Sequence, residues 1–255
     1  MKKDNPCILL SNDDGIHAPG LKILEQIAAT LSDDIWVVAP SSEQSGAGHS
    51  LTLNRPLRAH KFSEKRFSVD GTPTDCVLMA IEDLMGGKKP DLLLSGVNHG
   101  SNVGDDVTYS GTVAAAMEGT SFGIPSIALS QDLSWGHPAK WHTALDHAPS
   151  ILKKLIHKGW PKNVLININF PNVISKSVAG IEVVRQGFRA PYKSIVKAVD
   201  PRGGNYYWLG CIPEQLDMTE ETDLAAMVKK KISITPLYLD LTHDKTLSHL
   251  AKAFD

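Results

Sequence analysis

The chain has 255 residues and a formal net charge of −2; 42% of its residues are hydrophobic and 21% are charged. This composition supports one large α/β domain, or one domain with an appendage, and excludes a globally disordered chain. The small net charge gives no electrostatic reason to expect binding to nucleic acid or to an anionic membrane surface.

The N-terminal segment and the cysteines favour a cytoplasmic protein. Residues 1–6 are polar, and the apolar run that follows is only about five residues long, too short for a signal-peptide core. No stretch approaches the ~20 apolar residues that a membrane helix needs. Cys7, Cys76 and Cys211 form no Cys-x-x-Cys motif, and the first two lie in apolar runs, as expected of buried thiols in a reducing compartment.

Buried strands and helices alternate through the first two thirds of the chain. Continuous apolar runs predict strands at residues 7–10, 35–39, 91–95, 125–129 and 164–168. Helices are predicted at residues 21–31, 72–84, 112–120 and 139–157. Short alternating pieces between residues 51 and 70 predict a small antiparallel excursion. This order of elements predicts an α/β fold with a mostly parallel sheet and helices on both of its faces.

The helix at residue 72 has a clear start signal. Thr72 is the predicted N-cap, Pro73 suits the first helical position, and Asp75 lies in the first turn.

The alternation ends after Pro171. Residues 180–210 are aromatic, basic and rich in strand-favouring side chains, residues 232–239 predict a strand, and residues 246–254 predict a terminal helix. We therefore divide the chain into a core, residues 1–172, and a C-terminal extension, residues 173–255. An extension of this kind is typical of an arm that completes an oligomer.

Polar loops follow three of the predicted buried strands. Asp13 and Asp14 follow the first strand, Ser45 follows the second, and Asn98 follows the third. In an open parallel sheet such loops lie together at one edge, where ligands bind. Adjacent ionised carboxylates need a nearby cation or a raised pKa, and oxygen donors suit Mg²⁺ or Mn²⁺. The pattern predicts a divalent metal site.

Each of these motifs also has a simpler structural interpretation. Asp13 and Asp14 precede a glycine, which is common turn chemistry, and can form an Asx-turn before the next helix. Ser45 can belong to a flexible Gly/Ser loop, and Asn98 can be a turn residue with positive φ. The occurrence of all three at strand ends is what favours a site.

A second feature points to phosphate. Ser110, Gly111 and Thr112 precede a helix built of small residues, and its free N-terminal amides and dipole would attract an anion. A Ser or Thr helix cap is the commoner role for such residues. The chain has neither a P-loop motif nor a Gly-x-Gly-x-x-Gly fingerprint after its first strand.

These motifs, taken in order, resemble the SurE family of survival-protein phosphatases and nucleotidases. The resemblance is dense from about residue 7 to residue 130 and loose in the C-terminal third. It rests on residues 8–20, 38–40, 45–46, 71–77, 94–98 and 104–119.

The resemblance implies a Rossmann-like fold whose C-terminal β-hairpin and helix arm is exchanged between the subunits of a homodimer or homotetramer. It implies hydrolysis of nucleoside 5′- and 3′-monophosphates, and in some members of short polyphosphate, with one Mg²⁺ or Mn²⁺ per subunit. Residues 42–44 lack the basic side chains that many members carry there, which leaves substrate specificity open. Carried over by position, the metal ligands are Asp13, Asp14, Ser45 and Asn98, and the phosphate-binding and substrate-binding residues are Asn12, Asn102, Ser110, Gly111 and Thr112.

The predicted chemistry is metal-assisted transfer of a phosphoryl group to water, with Asp13 or Asp14 orienting or deprotonating that water. One alternative is a phosphatase that forms a covalent aspartyl-phosphate, although such sites usually carry a second carboxylate where this chain has Gly15. Another is a nucleotide sensor that binds AMP or GMP without turnover.

Overall fold

The computed structural model describes residues 5–133, 137–188, 195–209 and 219–254. The strands in these ranges are β1 (Ile8–Ser11), β2 (Ile35–Pro40), β3 (Ala59–Ser63), β4 (Arg66–Val69), β5 (Leu92–His99), β6 (Ser126–Gln131), β7 (Val164–Phe170), β8 (Ile181–Val183), β9 (Ile195–Val199), β10 (Asn205–Leu209) and β11 (Ile232–Tyr238). The helices are α1 (Pro19–Ala29), α2 (Pro73–Met79), α3 (Gly111–Ser121), α4 (His142–Lys158), α5 (Asp223–Val228) and α6 (Asp244–Ala251).

The central sheet has nine strands in the order β3-β4-β2-β1-β5-β6-β7-β11-β8. Six of its eight strand pairings are parallel, and the pairings of β3 with β4 and of β7 with β11 are antiparallel. Strands β9 and β10 form a separate antiparallel pair. The predicted α/β fold with a mostly parallel sheet is therefore confirmed.

Helices cover both faces of the sheet, as the buried strand runs require. Successive side chains of a strand point to opposite faces. In β1, Ile8 and Leu10 pack in a core cluster with α1 and α4, whereas Leu9 packs in a second cluster with α2 and α3. All three side chains are completely buried, so β1 needs apolar cover on each side.

Two helix starts follow from capping residues. The Thr72 hydroxyl accepts a hydrogen bond from the Asp75 N–H at 3.1 Å, and the Asp75 carboxylate accepts one from the Thr72 N–H at 2.8 Å, which is a capping box. Pro73 occupies the first turn. Ser110 caps α3 because its hydroxyl accepts from the Val113 N–H at 3.0 Å. The predicted start at residue 72 is confirmed.

Some predicted boundaries were wrong. Residues 51–53 form no strand, because the Thr52 N–H donates to the Asp75 carboxylate at 3.1 Å instead of joining a sheet. Strand β5 continues through His99 rather than ending at residue 95, because Asn98 and His99 pair with β6, so Asn98 lies at the end of the strand and not in the loop after it. Helix α4 starts at residue 142 rather than 139, and α6 covers residues 244–251 rather than 246–254.

The C-terminal extension contributes two strands to the central sheet. Strand β11 pairs with β7, β8 pairs with β11, and Ile232 and Ile234 of β11 lie in the core. The sheet therefore continues past residue 172. The β9–β10 hairpin instead exposes almost every residue. Of the predicted strand-rich segment 180–210, residues 189–194 and 210 lie outside the described residues.

Cys7 and Cys76 are buried and not in disulfides, as predicted for core thiols, and Cys211 lies outside the described residues. Burial raises the pKa of Cys7 to about 11 and the pKa of Cys76 well above its ordinary value. Among the described residues, no helix combines the length and the apolar character needed to cross a membrane.

Candidate functional site

The C-terminal ends of β1, β2 and β5 lie side by side with the loops that follow them, because β1 sits between β2 and β5. The N–H of Gln44 donates to the carbonyl oxygen of Asp13 at 2.8 Å, and the N–H of His99 donates to Oδ2 of Asp14 at 3.1 Å. The structure therefore brings together the three strand-end loops. We call residues 12–14, 43–46 and 98–100 the site edge.

Asn12 shapes the turn after β1. Its Oδ1 accepts from the Gly15 N–H at 3.2 Å, and its Nδ2 donates to the Gly15 carbonyl at 3.0 Å. Gly15 has a φ of 102°, in the left-handed region that favours glycine. The turn interpretation therefore applies to the buried Asn12, and the turn holds the next two carboxylates at the site edge.

Asp13 is almost completely buried, with 4% of its surface exposed. Its Oδ1 accepts a hydrogen bond from the Thr112 hydroxyl. Burial raises the pKa of Asp13 from its ordinary value of 3.8 to about 6; the Thr112 hydrogen bond opposes this rise, and the charge of Asp14 adds to it. A cation close to this carboxyl group would favour its ionised form.

Asp14 is half-buried, and a third carboxylate lies near it. Burial raises the pKa of Asp14, the hydrogen bond from the His99 N–H lowers it, and the charge of Glu43 raises it. Glu43 also accepts a hydrogen bond from the Ser45 hydroxyl at 2.9 Å. Glu43 was not among the predicted site residues, yet it is the residue that orients the predicted ligand Ser45.

Asn98 presents a carboxamide at the end of β5. Its Nδ2 donates to the Gly100 carbonyl at 2.9 Å, and its Oδ1 is the carboxamide atom that can accept. A carboxamide oxygen is a neutral donor for a hard cation. Asn98 therefore supplies the group expected of a ligand at the end of the third strand.

A cavity of about 630 Å³ opens beside the site edge. Asn12, Asp14, Gly111 and Thr112 are not among its lining residues. The predicted residues that line it are Asp13, Ser45, Asn98, Asn102 and Ser110. Sequence reasoning missed the other lining residues, namely Gly46, His99, Ser101, Asp106, Tyr109 and Leu209.

Of the missed lining residues, Tyr109 had a signal in the sequence and Leu209 had none. Tyr109 directly precedes the predicted phosphate segment, and the residue is 60% exposed beside the cavity. Leu209 comes from β10, and no local pattern could have placed it here. A second cavity of about 590 Å³ lies along β8, between residues such as Arg185 and Glu221, and contains none of the predicted site residues.

The first residues of α3 pack directly against Asp13. Thr112 is completely buried, and its hydroxyl donates to the Asp13 carboxylate. A Cβ atom at Gly111 would come within 2.7 Å of the Asp13 Cβ and 3.0 Å of Pro73 Cγ. Ser110 borders the cavity, whereas Gly111 and Thr112 hold Asp13 in position.

Asn102 is fixed by polar side chains of the sheet. Its N–H donates to Asn169 Oδ1 at 2.7 Å, and its carbonyl accepts from Asn167 Nδ2 at 2.8 Å and Asn169 Nδ2 at 3.0 Å. Its Nδ2 donates to the Ser130 hydroxyl at 2.8 Å. Asn167 and Asn169 interrupt the apolar run of β7, and this interruption is the sequence signal that could have indicated the support of Asn102.

Comparisons with known proteins identify the family. A family model described as Survival protein SurE matches residues 8–193. A protein from Paramagnetospirillum magneticum, called 5′-nucleotidase SurE, is 57% identical over 97% of this chain and 95% of its own length. A protein of the same description from Parvibaculum lavamentivorans is 56% identical over 96% of this chain and 90% of its own.

The fold agrees with a solved structure. The crystal structure of Sure protein from Aquifex aeolicus is 40% identical in sequence, with a TM-score of 0.84. The match covers 98% of this chain and 100% of that one. The likeness therefore includes the central sheet, the site edge and the C-terminal extension. The chain belongs to the SurE family.

Proposed function

We propose that this protein hydrolyses nucleoside 5′- and 3′-monophosphates to nucleoside and phosphate, with one Mg²⁺ or Mn²⁺ per subunit. The observation that carries the proposal is the pair of neighbouring carboxylates, Asp13 and Asp14, at the edge of a cavity that hydroxyl and carboxamide groups line. The name 5′-nucleotidase, borne by relatives up to 57% identical, supports the substrate class.

The oxygen groups of the site edge fit a hard divalent cation. Asp13 and Asp14 offer carboxylates, Ser45 a hydroxyl and Asn98 a carboxamide oxygen, which are donors that Mg²⁺ and Mn²⁺ accept. Burial raises the pKa of both carboxyl groups, and a bound dication would offset that penalty. These four residues are the proposed metal ligands.

The two carboxylates also act on water. A bound cation would stabilise negative charge on the phosphate and lower the pKa of a nearby water. The Thr112 hydroxyl donates to Oδ1 of Asp13, and the His99 N–H donates to Oδ2 of Asp14, so each carboxylate is held in place by one hydrogen bond. One of the two orients the attacking water and accepts its proton as the phosphorus–oxygen bond to the nucleoside breaks, and the leaving nucleoside oxygen takes up a proton from solvent.

Other residues that line the cavity suit a nucleotide. Ser110 and the start of α3 provide a hydroxyl and the positive end of a helix dipole for the phosphate. Asn102 lines the same space on its rigid support. A cavity of about 630 Å³ is within the usual range for small-molecule sites, and the Tyr109 ring offers a flat surface for a base.

The exposed hairpin supports a homodimer or homotetramer that exchanges this arm. Ile195, Trp208 and Leu209 expose 66%, 67% and 84% of their surfaces, and apolar groups of this size gain free energy when another subunit covers them. We also propose a cytoplasmic location, which the two buried free thiols support.

Phosphate release from a panel of nucleoside 5′- and 3′-monophosphates and short polyphosphate tests the function. We expect release from the monophosphates with Mg²⁺ or Mn²⁺, its loss in EDTA, and its return when Mn²⁺ is restored. AMP binding without release would identify a sensor instead. Full activity in EDTA would contradict the proposed requirement for a metal ion. A trapped aspartyl-phosphate would contradict direct transfer of the phosphoryl group to water.

A further inference from the structure

The side chain of Asp223 links the C-terminal extension to the cavity wall. Asp223 is completely buried at the start of α5. Its Oδ2 accepts from the Gly104 N–H at 2.9 Å, and its Oδ1 accepts from the N–H groups of Gly187 and Leu224 at 2.8 Å each. One buried carboxylate therefore fixes the backbone of two distant segments as well as its own helix.

Gly104 begins the segment that forms one wall of the cavity. A 3₁₀ turn covers residues 104–108 and leads directly into the cavity residues Tyr109 and Ser110. The Gly104 carbonyl accepts from Gln186 Nε2 at 3.0 Å. Both polar backbone groups of Gly104 are thus bound by residues of the extension. The position of the wall depends on these bonds.

A carboxylate suits position 223 because three backbone N–H groups donate to its two oxygens. A carboxylate only accepts hydrogen bonds, and bonds to a charged acceptor are stronger than neutral ones. A carboxamide of the same size would turn an NH₂ group towards one of these donors. The change Asp223→Asn therefore conserves volume while it removes at least one bond to the wall or to its support.

We propose that Asp223 is a positioning residue, which holds the wall formed by residues 104–110 in place and so raises affinity for the substrate's phosphate. It does so without contact with the substrate. This inference rests on the proposed nucleotidase function. The proposed metal ligands lie elsewhere, on the loops after β1 and β2 and at the C-terminal end of β5, so loss of Asp223 should weaken substrate binding and spare metal binding.

The test compares Asp223→Asn with Asp91→Asn. Asp91 is a matched control, because its Oδ2 also accepts a backbone N–H, that of Cys7 at 2.9 Å, but at the opposite ends of β1 and β5. In Asp223→Asn, the KM for AMP and the Ki of inorganic phosphate should each rise roughly tenfold. The kcat and the affinity for Mn²⁺ should stay unchanged, as should all four constants in Asp91→Asn.

Gln186→Met provides a second variant in case Asp223→Asn does not fold. It removes the donor to the Gly104 carbonyl, and the KM for AMP should rise by a smaller factor. Hydrogen exchange of the Gly104 amide should be faster in both variants and unchanged in Asp91→Asn. A lower kcat with an unchanged KM in the folded variants would assign these residues to stability alone and overturn the inference. No AMP hydrolysis by the wild-type protein would overturn the proposed function instead.

Discussion

The site edge and the β9–β10 hairpin owe their structure to different contacts. At the site edge, Asp13 is 4% exposed and is held by the turn after β1 and by α3. In the hairpin, Trp208 is 67% exposed, and among the described strands β9 and β10 pair only with each other. The core of the chain therefore fixes the proposed ligand groups, whereas the hairpin must gain its stability from whatever covers it.

Asp13→Asn, at the site edge, should have the largest effect on activity. The carboxamide keeps the volume but removes the charge that a cation requires, so kcat for AMP should fall roughly a thousandfold. Steady-state kinetics with Mn²⁺ measures the loss, and Asp33→Asn, at an exposed loop carboxylate, serves as the control. Wild-type turnover of Asp13→Asn in limiting Mg²⁺ would contradict the assignment.

The same variant should change how stability depends on pH without metal. The pKa of Asp13 rises from 3.8 to about 6 on folding, so between these values the folded state keeps a proton that the unfolded chain has lost. The contribution of Asp13 to the free energy of unfolding should therefore fall by up to about 3 kcal/mol as pH rises through this window, and stay level above it. Measured by urea unfolding in EDTA, the free energy of unfolding should decline less across this pH window for Asp13→Asn than for the wild type. Equal declines in the two proteins would be evidence against a raised pKa of Asp13.

Gly111→Ala tests how closely α3 approaches Asp13. Its Cβ would lie 2.7 Å from the Asp13 Cβ, and overpacking of this kind costs about 1–3 kcal/mol and should displace the carboxylate. Thermal unfolding and AMP turnover should both decline. Gly123→Ala is the control, because Gly123 has a φ of 68° but open space around it, so it should lose stability and keep its kcat per folded molecule. Equal kcat values in the two variants would refute the close-contact explanation.

Thr112→Val should have a smaller effect on the same contact. Valine keeps the shape of threonine but cannot donate to Asp13 Oδ1, so the pKa of Asp13 should rise further. The Kd for Mn²⁺, measured by calorimetry, should increase roughly tenfold. Thr112→Ser keeps the donor and should bind Mn²⁺ as the wild type does. If valine and serine gave the same Kd, the hydroxyl would have no role in orienting Asp13.

Trp208→Ser should affect the hairpin and leave the site edge intact. We expect the affinity for Mn²⁺ to stay unchanged, while light scattering shows a shift towards smaller assemblies, because the indole no longer supplies apolar contact area. Leu53→Ser removes a similarly exposed apolar side chain outside the hairpin, 82% exposed, and should leave the assembly as it is. An unaltered assembly in Trp208→Ser would exclude this residue from subunit contacts.

Local patterns were enough to predict much of the fold. The apolar run of β1 needs cover on both faces, and the capping box of Thr72 and Asp75 depends on residues three positions apart. Such features depend only on residues that are close together in the sequence. The placement of the polar loops after β1, β2 and β5 then follows from the general geometry of parallel sheets.

Contacts between distant segments could not be predicted in this way. The bond from Thr112 to Asp13 joins residues 99 positions apart, and it depends on how α3 packs against the sheet. The contact of Asp223 with Gly104 spans 119 positions. The pairing of β11 with β7 is also a contact between distant segments. No local pattern predicts its register, which becomes defined only when the chain returns to the sheet.

The most direct test of the site is the anomalous scattering of Mn²⁺ in crystals of the protein. We predict one manganese peak per subunit, bounded by the carboxylates of Asp13 and Asp14, the hydroxyl of Ser45 and the carboxamide of Asn98. A peak bound elsewhere, or none at this edge under saturating Mn²⁺, would contradict the account.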